Sequence, residues 1–96
     1  MINLEDIHSM SPDALVSWFL IGSYAYYELS NPVMSDPDFD VLVSRLKEKY
    51  AESDHYHKSL ITQSHLDATT GYDIKYPTIV RYAAMNYLKE IGRWHL

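Results

Sequence analysis

Residues 11–51 read SPDALVSWFLIGSYAYYELSNPVMSDPDFDVLVSRLKEKYA, and their punctuation sets the expected architecture. Ser11, Pro12 and Asp13 supply an N-cap, a proline suited to the first helical position and an acid in the first turn. A first helix is predicted over 12–29, interrupted by no breaker except Gly22 and closed by Ser30-Asn31-Pro32. Apolar residues nearly surround it from Trp18 to Ile21, which marks it as the central helix of the domain. Ser35 then caps a second helix over 36–51, with Pro37 and Asp38 in its first turn. Phe39, Leu42, Val43, Leu46 and Tyr50 fall on one helical face, and Arg45, Lys47, Glu48 and Lys49 fall off it. The short connection makes the pair a helical hairpin.

Beyond the hairpin the pattern dissolves. Residues 52–76 are polar and turn-prone and are expected to be mostly loop, with Leu60-Ile61-Thr62 as a brief extended piece. Pro77 opens a third helix over 77–91 that ends at Gly92, with Ile79, Tyr82, Ala83, Leu88 and Ile91 expected to face the hairpin. The fold class expected is all-α: a hairpin with a C-terminal helix packed on it through an irregular crossover. The 96 residues, 47% hydrophobic, suit one domain with a modest core. With no cysteine, no long apolar run and acid near the first methionine, the expectation is a cytoplasmic protein without disulfides or a membrane segment.

Charge is distributed unevenly. Residues 1–44 carry seven acids (Glu5, Asp6, Asp13, Glu28, Asp36, Asp38 and Asp40) and no Lys or Arg, whereas 55–96 carry five basic residues against three acidic. The first half should repel nucleic acid and attract a cationic ligand or a basic partner. Asp36 and Asp40 lie one helical turn apart, where like charges repel by a few tenths of a kcal/mol when exposed. The helix dipole accounts for Asp36 and Asp38 in the first turn, and less well for Asp40.

Tyr26, Tyr27, Pro32, Ser35, Asp36, Phe39, Asp40 and Leu42 form a pattern that resembles the N-terminal helical subdomain of bacterial NAD-dependent DNA ligases, over about residues 12–52. The resemblance implies a hairpin that closes over the nicotinamide mononucleotide half of NAD. Tyr26 would then pack on the nicotinamide ring, Tyr27 would contact the same nucleotide, and Asp36 and Asp40 would bind the nicotinamide riboside end. Phe39 stands where the family has tyrosine, at a cost of about one hydrogen bond, or about 1 kcal/mol. Oxidised nicotinamide is a cation with an aromatic face, which suits rings beside carboxylates.

No Lys-x-Asp-Gly adenylation motif occurs, nor do the zinc and helix-hairpin-helix modules of such ligases, so the resemblance implies NAD or NMN binding without catalysis. Binding by an isolated hairpin should be near millimolar, which calls for a protein partner: a separate nucleotidyltransferase chain completing a split ligase. The alternative is a small acidic interaction or inhibitor protein that sets its carboxylates against a basic surface of a host protein, as DNA-mimicking viral proteins do. A third possibility makes the tyrosines and Phe39 core residues and the aspartates helix caps.

Weaker constellations remain. His55, His57, Asp54 and His65 contain metal-ligand types, but without ligand spacing they read chiefly as polar surface. Ser59 or Ser64 beside a histidine lacks any nucleophile elbow. Tyr72, Tyr76, Tyr82 and Tyr87 with Lys75, Arg81, Lys89 and Arg93 offer a basic aromatic surface, although packing of the third helix explains them better.

Overall fold

The computed structural model describes residues 1–71 and 73–94, and all the regular structure among them is helical. Five α-helices follow in order: α1 (Leu4–His8), α2 (Pro12–Tyr27), α3 (Asp36–Lys49), α4 (Gln63–Ala68) and α5 (Thr78–Glu90). Short 3-10 turns span Tyr50–Glu52 and Lys58–Leu60. No helix among the described residues is long and apolar enough to cross a membrane.

The cap signals translate directly into helix starts. The Ser11 side chain accepts from the Ala14 amide at 3.1 Å, and that of Ser35 accepts from the Asp38 amide at 3.2 Å. Each satisfies an N–H that the first helical turn leaves without a partner. The central position of α2 follows from its side chains: Leu15, Val16, Phe19, Leu20 and Ala25 are buried as it packs between α3 and α5. On α3, Leu42, Val43 and Leu46 are buried, and Phe39 and Tyr50 are half-buried at the two ends of the same stripe. At its far end α5 closes on Gly92 at φ +73°, with the Arg93 and Gly92 amides donating to Leu88 and Lys89. That pair of bonds needs the left-handed conformation glycine adopts without a Cβ clash.

Three expectations are corrected. The buried face of α5 is Val80, Ala84 and Leu88, whereas Ile79 and Tyr82 are 69% and 61% exposed. Leu88 is buried as expected and Ala83 and Ile91 pack partly against the core, so the correction concerns Ile79 and Tyr82, whose places on the inner face are taken by Val80 and Ala84. Ala84 lets α5 approach α2 closely, and Tyr87 meets Trp18 edge to face with centroids 5.1 Å apart.

Segment 52–76 is also more than a loop. Its α4 begins with a reciprocal cap, in which the Thr62 hydroxyl accepts from the His65 amide and the Thr62 amide donates to His65 Nδ1. Ile61, Leu66, Ile74 and Tyr76 from this segment are buried in the core. Only Ile61 and Thr62 of the expected extended piece have extended backbone, and they pair in no strand. Helix α1, held by reciprocal Asn3 and Asp6 bonds and by buried Ile7, is likewise unannounced by the sequence pattern. Helices of five and six residues are too short to display an amphipathic period and depend on tertiary packing.

Candidate functional site

A cleft of about 270 Å³ opens where the end of α2 meets the start of α3. Tyr26, Tyr27, Asp36, Phe39 and Asp40 all line it, together with Gly22, Ser23, the Pro32–Met34 connection and Thr69. The hairpin geometry brings them together. Gly22, Tyr26 and Phe39 face one another because α2 and α3 come close at this end: a Cβ on Gly22 would stand 3.3 Å from Met34 Cε and 3.4 Å from Phe39 Cε1. Glycine within a helix costs about 1 kcal/mol relative to alanine, and here its missing side chain keeps the floor of the cleft open.

The aromatic part consists of three rings in different roles. Tyr26 and Tyr27 meet edge to face with centroids 4.9 Å apart and are 48% and 41% exposed, so neither belongs to the core. Phe39 stacks on Phe19 at 5.6 Å and joins the cleft to the interior. Tyr27 is further held by a 2.5 Å hydrogen bond between its hydroxyl and Thr70 Oγ1. This bond links the cleft to the segment after α4, 43 residues along the chain and outside the hairpin motif.

Asp36 and Asp40 are exposed at the rim, one turn apart on α3. Among the described residues no Lys, Arg or His nitrogen lies within 4.0 Å of either carboxylate; the ion pairs are Lys47 with Asp67, Lys49 with Glu52, and His65 with Asp73. Two anions thus lie beside partly exposed aromatic rings, with no cation paired to them among the described residues, an arrangement chemically suited to an aromatic or alkyl cation.

The wall after α4 is the part that sequence reading missed. Thr69 adopts left-handed backbone at φ 54°, and Gly71 is so enclosed that a Cβ would lie 2.9 Å from Ser23 Oγ. Buried Tyr76 donates its hydroxyl to the Gly71 carbonyl and packs edge to face on Tyr24. Burial raises the pKa of that phenol well above its ordinary value. In the sequence this anchor is no more than a tyrosine five residues after a glycine, and its burial is decided by the fold.

A second concavity, about 520 Å³, lies across α2 and is lined by Ser17, Ile21, His55, Tyr56, His57, Ile79, Val80 and Ala83. Two of its polar side chains, Ser17 and His55, are bonded to each other. His55 Nδ1 accepts from the His57 amide at 3.0 Å, so the proton of the neutral ring sits on Nε2 and donates to Ser17 Oγ at 2.8 Å. A base for Ser17 would need the opposite tautomer.

Beneath it, Asp13 accepts from the Ser53 hydroxyl at 2.7 Å and the Asp54 amide at 2.8 Å. The Ser53 hydroxyl first, and the Asp54 amide second, hold the Asp13 carboxyl below its ordinary pKa of 3.8.

The remaining sequence candidates are separated by the fold. Histidines 55 and 65 serve as turn and cap partners, and among the described residues no three His, Cys, Asp or Glu side chains gather as a metal site. Ser59 and Ser64 are exposed and bond no histidine among those residues. Of the proposed basic aromatic surface, Tyr76 is buried, Tyr87 is half-buried on Trp18, Tyr82 is exposed, and Tyr72 lies outside the described residues.

No protein-family model, no curated protein and no solved structure matches the chain.

Proposed function

We propose that the α2–α3 corner is a non-catalytic binding site for the nicotinamide end of NAD or of nicotinamide mononucleotide. One observation carries the reading: Tyr26, Tyr27, Asp36, Phe39 and Asp40 converge on a single open cleft whose carboxylates have no cation among the described residues. A positively charged aromatic ring supplies the charge that the aspartates lack and can pack against the exposed part of Tyr26. The likeness of these positions to the ligase hairpin motif adds to the reading. The lack of a Lys-x-Asp-Gly motif in the sequence limits it to binding.

Affinity follows from the few contacts available. A millimolar dissociation constant corresponds to about −4.1 kcal/mol, which a stacked ring and two charge-assisted contacts supply after the entropy of association is offset. A second chain, such as a nucleotidyltransferase, would add the adenosine half of the site. Titration of nicotinamide mononucleotide into isotopically labelled protein tests the reading. Amide shifts should concentrate at Tyr26, Tyr27 and Asp40, and no response at several millimolar would overturn it.

The same uncompensated carboxylates support a second reading, in which an arginine or lysine of a basic partner protein occupies the corner. That reading expects Asp36→Lys with Asp40→Lys to abolish capture of a basic partner while nicotinamide mononucleotide gives no shifts in the unmodified protein.

A further inference from the structure

The wall formed by residues 69–71 lies outside the hairpin that resembles the ligase subdomain, yet it borders the same cleft. Thr69 ends α4 in left-handed backbone, at φ 54° and ψ 42°. A β-branched residue is a poor choice there, since glycine or asparagine adopts this conformation with far less clash. The surroundings hold it in place: the Thr70 amide donates to His65 O at 3.0 Å, the Thr69 amide to Leu66 O at 3.3 Å, and the Thr70 hydroxyl bonds Tyr27. Local choices that oppose backbone preference gather where a side chain is needed for binding. The Thr69 side chain is half-buried on the cleft wall, and its hydroxyl makes no hydrogen bond among the described residues.

We propose that Thr69 is a specificity-determining residue of the cleft, its hydroxyl hydrogen-bonding a sugar hydroxyl of the ligand, so that the site prefers a ribosylated pyridinium cation to a bare N-alkylated one. This rests on the nicotinamide reading above and adds to it a residue from the other half of the chain. The chemistry matches on both sides. A threonine hydroxyl both donates and accepts, as ribose hydroxyls do. The sugar is attached at the charged ring nitrogen, so it must lie close to the group that Asp36 and Asp40 attract. At about 270 Å³ the cleft has room for more than one six-membered ring.

Two monocations that differ only at the ring nitrogen isolate the sugar: nicotinamide riboside and 1-methylnicotinamide, each titrated by NMR into the full chain. The unmodified protein should bind the riboside about fivefold more tightly, the factor expected of one neutral hydrogen bond. Thr69→Gly should erase that preference by weakening the riboside alone, while its melting temperature stays level or rises because the left-handed strain is relieved. Thr69→Asn, which tolerates the same backbone and restores a polar atom, should recover part of the preference.

Equal binding of the two cations by the unmodified protein, or a preference that survives in Thr69→Gly, would overturn the assignment of Thr69 and leave the cation cleft standing. Silence of the unmodified protein toward both cations at several millimolar would overturn the cleft and Thr69 together.

Discussion

The cleft at the α2–α3 corner and the groove beneath the His55–His57 turn both rest on α2, and the groove is the larger, about 520 Å³ against 270 Å³. They differ in what their polar groups already do. In the groove, Ser17 is bonded to His55 and His55 to the His57 amide, so these polar atoms are already paired, and among the described residues no carboxylate lines the walls. In the cleft, Asp36 and Asp40 have no cation among the described residues, and Tyr26 and Tyr27 are 48% and 41% exposed beside them. Volume alone would select the groove. Uncommitted charge beside exposed aromatic surface selects the cleft, because a ligand gains most from groups the fold has left without partners.

The largest effect that can break this contrast lies in the cleft. Replacing Asp36 and Asp40 together by lysine removes two charge-assisted contacts of about 1.5–3 kcal/mol each and adds repulsion, so affinity for a nicotinamide cation should fall at least about 100-fold. No shift should then be visible by NMR at several millimolar ligand, with helical circular dichroism unchanged because both residues are exposed. Retained binding would mean that the cleft is not where the cation sits.

Next comes the anchor of its outer wall. Tyr76→Phe leaves the buried Gly71 carbonyl without its donor and should cost roughly 1–3 kcal/mol in urea unfolding. The same residue gives an alkaline signature. Because burial raises the folded pKa, the phenol is neutral in both states below the unfolded value of about 10, and stability falls as pH rises from there. The phenylalanine variant should show a shallower loss above pH 10; an identical slope would remove Tyr76 as its source.

Smaller effects are expected at the groove. Ser17→Ala takes away one hydrogen bond of His55 and should lower stability by about 1 kcal/mol while leaving cation binding in the cleft unchanged. Altered binding would show that the two concavities are coupled through α2. The least effect belongs to Asp13→Asn, beneath the groove. The Asp13 carboxylate is favoured by the fold, so its contribution is present above the ordinary value of 3.8 and disappears as pH falls through the lower folded value. The asparagine variant should lose stability less steeply below that pH in an acid unfolding series.

The hairpin was legible from residues because its signals are local. Ser11-Pro12-Asp13 and Ser35-Asp36-Pro37 place helix starts within one turn of chain, and a 3.6-residue period places Leu42, Val43 and Leu46 inside. The five residues singled out by the ligase resemblance share one cleft because they lie on either side of the bend that joins these two helices. What stayed hidden were α1, α4 and the N-terminal part of the inner face of α5. Short helices carry no periodicity of their own, and the choice between Ile79 and Val80 as an inward residue depends on how closely Ala84 allows α5 to approach.

By itself, then, the sequence determined an all-helical chain, a hairpin with acid and aromatic residues at its bend, and the absence of an adenylation lysine motif. Tertiary structure alone decided that Tyr26 and Tyr27 stay at the surface and that a cleft opens beside Gly22. It also decided that residues 69–71 arrive to wall that cleft, tied by Tyr27 to Thr70 and by Tyr76 to Gly71. Caps and helical periods act within a few residues and can be read in order along the chain. A contact across 43 residues, such as Tyr27 with Thr70, depends on where every intervening element packs.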